Sequence, residues 1–271
     1  MAMFAAQNDG KIEIYYEEEG TGVPLFMVGG LTATVEVWGD LRRLLAARYR
    51  LIMPDNRGSG RTRLPQDNGD RTPRRLAGDV LALADGLKLD RFHLLGGSFG
   101  GMIAQEFALS HPERLRSLII ACSHFGGKDK VLSSAGTMEI RVRGAAPDAT
   151  EQERQAALET IFHPETVRSR PEVVRRYDEN KRRFPHSKEE IARRQKGIAA
   201  FDSSERLRGL RVPTLVIHGS HDVLVPTANA PLLAQRIPGA ELVIVEGAGH
   251  HFYSEQPEAS AKAILEFLAR H

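Results

Sequence analysis

The stretch Gly96-Gly97-Ser98-Phe99-Gly100-Gly101 sets one serine among glycines, directly after Phe92-His93-Leu94-Leu95 and directly before Met102-Ile103-Ala104-Gln105-Glu106-Phe107. A G-x-S-x-G turn between a strand and a helix is a nucleophile elbow, which lifts the serine hydroxyl clear of the chain. The glycines have a steric reason, because residues without a Cβ let neighbouring backbone approach a strained turn. The helix start that follows favours negative charge developing beside it. A serine hydroxyl is a weak nucleophile at neutral pH. It needs a base to take its proton and an acid to hold that base in one tautomer.

Two later loops offer those partners. His218-Gly219-Ser220-His221-Asp222 follows the apolar run Pro213-Thr214-Leu215-Val216-Ile217 and presents Asp222. Glu246-Gly247-Ala248-Gly249-His250-His251 follows Leu242-Val243-Ile244-Val245 and presents His250, with His251 beside it. Both loops leave the carboxyl end of an expected strand, where open α/β sheets bind ligands.

The elements that must position these groups are legible as short apolar runs alternating with amphipathic stretches. Strands are expected at residues 3–7, 11–17, 23–28, 49–53, 92–95, 118–121, 213–218 and 242–245, the first two joined by a turn at Asn8-Asp9-Gly10. Helices are expected at residues 40–48, 73–87, 99–110, 227–236 and 257–270. This alternation predicts an α/β fold, an eight-stranded mostly parallel sheet with helices on both faces. It stops between residues 125 and 210, which hold no strand pattern and carry Pro147, Pro164, Pro171 and Pro185. Ile161-Phe162, Val173-Val174 and Ile198-Ala199-Ala200-Phe201 give that segment apolar faces. It reads as a helical cap insertion, dividing a core of residues 1–124 and 211–271.

Composition narrows the function classes. With 271 residues, 41% hydrophobic and 27% charged, the chain is that of an ordinary globular protein rather than a disordered or fibrous one. A net charge of only +2 argues against a nucleic-acid or membrane binder recognised by bulk charge. Residues 130–211 carry 18 basic and 13 acidic side chains, which solvated helix faces explain more simply than an anion-binding surface. Cys122 stands alone in an apolar run and reads as a buried small hydrophobe. The first ten residues show no signal-peptide pattern, and no apolar run approaches the ~20 residues of a membrane span, so a cytoplasmic location is expected. No H-E-x-x-H, cysteine cluster or P-loop occurs, so neither metal nor cofactor is expected.

Taken together, these motifs resemble the α/β-hydrolase superfamily over nearly the whole chain. Ser98, Asp222 and His250 match its triad positions in its chain order. Asp55-Asn56-Arg57-Gly58-Ser59-Gly60-Arg61-Thr62 is similar to the D-x-R-G-x-G-x-S stretch of that family, and Gly100 through Ile120 looks like its esterase and lactonase branch, which includes 3-oxoadipate enol-lactone hydrolases. The resemblance favours His250 over His251, because the family's base follows the glycine directly. His218, closing a strand, and His221, beside Asp222, are read in supporting roles; His93, inside a strand pattern, and His111, before Pro112, have no motif. Asp55 and Asp202 read as a turn residue and a helix cap. The resemblance also implies an oxyanion hole from the backbone N–H groups of Phe99 and Leu31, although Gly29-Gly30 stands where many relatives have His-Gly.

The implied activity is hydrolysis of a small carboxylic ester or lactone through an acyl-enzyme, by a monomer or homodimer. A carbon-carbon bond hydrolase, a cofactor-free perhydrolase and a receptor-like protein with little turnover use the same scaffold. Trp38 and Phe162 are candidates to line an acyl pocket, with core packing the simpler role for each.

Overall fold

The computed structural model describes residues 2–7, 11–144 and 148–271; the Asn8-Asp9-Gly10 turn and Pro147 lie outside them. Among the described residues the strands are β1 (Ala2–Gln7), β2 (Lys11–Glu19), β3 (Val23–Val28), β4 (Tyr49–Pro54), β5 (Phe92–Gly97), β6 (Leu115–Ala121), β7 (Thr214–Gly219) and β8 (Glu241–Val245). They form one sheet in the order β1-β2-β4-β3-β5-β6-β7-β8. β2 runs antiparallel to β1 and β4, whereas β4, β3, β5, β6, β7 and β8 run parallel.

Continuous apolar runs become strands here because both faces are covered. Phe26, Val28, Leu94, Leu118, Ile120 and Val216 enter one core cluster, and their neighbours Leu25, Met27, Leu95, Ile119, Ala121 and Leu215 enter the other. That period of two is the pleat itself. The helices in chain order are α1 (Gly39–Ala46), α2 (Pro73–Gly86), α3 (Phe99–Ser110), α4 (Ala135–Gly144), α5 (Glu151–Glu159), α6 (Pro164–Ser169), α7 (Pro171–Arg183), α8 (Lys188–Ala200), α9 (Asn229–Arg236), α10 (Phe252–Glu255) and α11 (Pro257–Leu268). α2, α3 and α9 supply the first cluster, and α1 and α11 the second. β2 extends past the expected residue 17 because Glu17 to Glu19 pair with β4 and meet Arg42 and Arg50, partners that an alternation pattern does not show.

α4 to α8 are inserted between β6 and β7. They hang from a neck where Gly126 bridges Asp202, Ser203 N–H donates to Phe125 O (2.8 Å), and Gln105 binds both Ser203 (2.8 Å) and the His124 carbonyl (3.1 Å). Ile161, Phe162 and Val173 make a small core of their own with Tyr177, while Phe201 joins the main one. Asp202 is not a helix cap. It accepts from the N–H and hydroxyl of Ser204 at the neck (2.9 and 2.6 Å).

His93, on β5, is only 2% exposed, with Nδ1 2.8 Å from Ser117 Oγ and its ring edge-on to Tyr49. Burial pushes its imidazole down from 6.5 to about 4. Between those values the unfolded chain binds a proton that the folded chain refuses. Stability is therefore lost as pH falls through that window and levels off below it. Between pH 7 and pH 5, His93 alone should cost about 2 kcal/mol. Urea unfolding of His93→Phe at both pH values should show a loss smaller than wild type by that amount; an unchanged loss would show that the imidazole is no source of the acid sensitivity.

Candidate active site

Ser98 joins β5 to α3 with φ 56° and ψ −118°, a left-handed conformation that costs a serine about 1–3 kcal/mol. Three hydrogen bonds hold it: Ser98 N–H to Ala121 O (2.8 Å), and the Ser123 hydroxyl and Gly101 N–H to Ser98 O (2.8 and 2.9 Å). Its tight approach requires glycine at 100, where a Cβ would lie 2.1 Å from Val28 O and 2.7 Å from Gly29 O. Ser98 is half-buried at the start of α3, so its hydroxyl meets the positive end of that helix.

The hydrogen-bond ladder continues beyond the strand ends and gathers the loops. Cys122 N–H donates to Ile217 O (2.9 Å), Ser220 N–H to Val245 O (3.0 Å) and His221 N–H to Ala248 O (2.8 Å). Cys122 is fully buried, its thiol pushed well up by burial and then by the nearby Asp222 charge. It packs as the small hydrophobe its setting suggested.

Asp222 Oδ2 lies 2.7 Å from His250 Nδ1, and Oδ1 accepts from Leu224 and Val225 N–H (3.0 and 2.9 Å). Burial pushes this carboxyl up, but the His250 charge and the hydrogen bonds from His218 and His250 outweigh it and hold it below the usual range. His218 is the second imidazole on the same oxygen, with Nε2 3.0 Å from Asp222 Oδ2 and 2.8 Å from Val225 O. Its buried Nδ1 has no partner among the described residues, which assigns the proton to Nε2. His251 lies among the rings of Phe162, Tyr177 and Tyr253 and is pushed down to about 3 by burial, then by the His250 charge. Of the two adjacent histidines, the one on Asp222 is His250. No hydrogen bond joins Ser98 Oγ to His250 Nε2 in this structure; such bonds often close only around a substrate.

The Gly30-Leu31 loop lies directly beside the serine, since a Cβ on Gly30 would fall 3.2 Å from Ser98 Cβ and 3.7 Å from its Oγ. Among the described residues neither Leu31 N–H nor Phe99 N–H has a protein acceptor. Asn56 donates to Gly29 O (2.8 Å), while Asp55 accepts from Val35 N–H (2.9 Å) and from Arg61 N–H and Nε (both 2.9 Å). Asp55 is thus no simple turn residue; wholly buried, it ties the loop after β4 to the loop after β3.

Sequence reasoning missed two groups here. Glu255 accepts from Gly249 N–H (2.8 Å) and His163 N–H (2.7 Å), tying the His250 loop to the insertion. Arg194 of α8, fully buried, donates to Leu31 O. Neither carries a motif. Among the basic residues of 130–211, Arg143 meets Asp148 and Glu153, Arg175 meets Glu179, and Arg176 meets Asp40. Trp38 packs on Tyr253 (5.4 Å between ring centres) and Phe162 on Tyr177 and His251, both as core residues.

A mostly parallel sheet that presents a strained serine, an aspartate–histidine pair and free backbone donors at its carboxyl edge is the scaffold of a hydrolase. The chain belongs to the alpha/beta hydrolase fold family, whose model matches residues 23–257. It is 30% identical over 258 residues to a protein of Azorhizobium caulinodans named as a carbamate hydrolase, RutD, covering 95% of this chain and 96% of that one. A thermophilic esterase from Thermogutta terrifontis superposes with TM-score 0.83 at 28% identity, covering 100% of this chain and 99% of the other. The enol-lactonase of Burkholderia xenovorans LB400 gives 0.79 at 25%, covering 95% and 97%.

Gly100→Ala should force α3 off β3 and displace both Ser98 and the Gly30-Leu31 loop. Overpacking of this kind costs about 1–3 kcal/mol or more. The expected result is a melting temperature lower by several degrees and hydrolase activity down at least roughly 100-fold. Wild-type values for both would mean that the glycine is dispensable.

Proposed function

We propose that the protein hydrolyses carboxylic esters or lactones through an acyl-enzyme on Ser98. The observation that carries this reading is the strained Ser98 at the start of α3, on the same sheet edge as an Asp222–His250 pair 2.7 Å apart. His250 Nε2 takes the Ser98 proton as the hydroxyl attacks the substrate carbonyl, then returns it to the leaving alcohol. Asp222 holds the His250 proton on Nδ1 and stabilises the imidazolium. The N–H groups of Leu31 and Phe99 receive the tetrahedral oxyanion. Water, activated by His250, then releases the acid. Each step uses groups of the chain itself.

The relatives support the choice of bond. A carbamate hydrolase, an esterase and an enol-lactonase are all named for a carbonyl bonded to oxygen or nitrogen. In this reading residues 125–210 are the cap, since Ile161 to His163 lie against the His250 loop and Arg194 against the Leu31 loop. The cap then shapes the substrate pocket, in a core formed by residues 1–124 and 211–271.

The test is hydrolysis of p-nitrophenyl acetate and butyrate under burst and steady-state conditions. Sustained turnover is expected, with an acetyl adduct on Ser98 in quenched samples. Ser98→Ala should lose at least roughly 10⁴-fold in kcat, and Asp222→Asn roughly 10³- to 10⁴-fold, because it favours the wrong tautomer. A single equivalent of product without steady state would instead mark a receptor-like protein, and activity surviving in Ser98→Ala would overturn the nucleophile.

A further inference from the structure

We propose that Arg194, on the inserted helix α8, is a positioning residue that sets the oxyanion-binding peptide by holding the Leu31 carbonyl. The inference rests on the reading above, in which Leu31 N–H receives the oxyanion. That N–H belongs to the Gly30–Leu31 peptide unit, and the units on either side are each held by a side chain. Asn56 Nδ2 donates to Gly29 O (2.8 Å), and Arg194 Nη1 donates to Leu31 O. The middle unit keeps its own carbonyl on Ala33 N–H (3.3 Å). With both flanking planes fixed, the Leu31 N–H has little freedom to turn away from Ser98. One anchor comes from the sheet core and the other from the insertion.

Arg194 is built into this place rather than resting there. Its side chain is 0% exposed. Nη2 donates to Arg57 O (2.7 Å) and Nε to Glu190 Oε1 (2.7 Å), so one planar guanidinium joins two loops and one carboxylate. Glu190 Oε1 also accepts from Arg71 Nε (2.7 Å), and Arg71 in turn holds Asp67 (2.7 Å). The core makes room for the arrangement: a Cβ on Gly58, where φ is +72°, would lie 2.4 Å from the Glu190 carboxylate, and a Cβ on Gly197 would meet Arg71 O at 2.5 Å. At Gly58 the Glu190 carboxylate fills the space a side chain would take, and at Gly197 the α8 backbone itself comes close to the chain at Arg71. The Gly29-Gly30-Leu31 loop is thus anchored from α8 through the Leu31 carbonyl.

A positioning role differs from simple attachment of α8 in what it does to the transition state. Loss of attachment lowers the melting temperature, but each folded site then works normally. Loss of positioning lowers kcat per site and weakens a tetrahedral mimic, with ground-state binding little changed. The experiment compares wild type, Arg194→Gln, Arg194→Lys, Ser98→Ala and the neighbouring control Arg193→Gln, using p-nitrophenyl butyrate. Rates are divided by burst-titrated sites, and inhibition by phenylboronic acid is measured beside inhibition by butyrate.

For Arg194→Gln, kcat per site should fall roughly 10- to 100-fold and the phenylboronic acid constant should rise in step. KM and butyrate inhibition should stay within about threefold. Arg194→Lys keeps the charge beside Glu190 but cannot span two carbonyls, so it should recover stability more than kcat. It decides the matter if Arg194→Gln does not fold. Arg193→Gln should match wild type. If kcat per site and boronate inhibition stay within about twofold of wild type in both Arg194 variants while Ser98→Ala is inactive, Arg194 only attaches the helix and the inference falls. If Ser98→Ala keeps its activity, the underlying reading of the site falls instead.

Discussion

Everything at the carboxyl edge depends on how closely α3 approaches β3. At Gly100 the helix backbone meets Val28 O and Gly29 O with no space for a single carbon between them. That contact fixes where α3 begins, so it fixes the plane of the Ser98 peptide and the direction of Phe99 N–H. It also leaves the Gly30-Leu31 loop only one way to pass, beside the serine hydroxyl. The strain at Ser98 persists because three hydrogen bonds and this contact over-determine it. A looser helix would relax the serine and lose the geometry in the same movement.

The remaining groups are held by buried polar contacts rather than by apolar packing. Asp222 accepts four donors, two from backbone and two from imidazoles, so no lone pair of the carboxylate is left to repel its neighbours. Asp55 and Asn56 do similar work for the loop after β3. Glu255 reaches the insertion from the His250 side, and Arg194 reaches the core from the insertion side. Each is individually costly to bury and becomes favourable only when every partner is in place, which makes the edge cooperative.

Much of this was legible in the sequence where a residue type has few other uses. The Gly-Gly-Ser-x-Gly-Gly pattern between an apolar run and a helix pattern has one steric explanation; the loop carrying Asp222 follows a run apolar enough for a fully covered strand, and the loop carrying His250 follows an apolar run that forms the partly exposed edge strand. Arg194 was illegible for a physical reason. An arginine four residues after Glu190 in a polar helix has the pattern of a solvated ion pair, and only the tertiary approach of Gly58 and Leu31 buries it. Glu255 is hidden in the same way, its partners being backbone N–H groups of loops distant in sequence. Asp55 and Asp202 differ from the expected turn residue and helix cap because their places, on Val35 and Arg61 for one and at the neck of the insertion for the other, are set by the fold.

The neck at Gly126 and Asp202 bears on how such a protein changes over time. Because the chain leaves and re-enters the sheet at adjacent points, the insertion is a closed loop whose ends stay together whatever its length. Residues can be gained or lost between them at a cost that grows only logarithmically with loop size. β6 and β7 need not shift, and the loops that leave them keep their place at the sheet edge. The insertion residues that reach the core, among them Arg194 at the Leu31 loop and His163 at Glu255, are held by that contact, while the exposed stretches between them can drift.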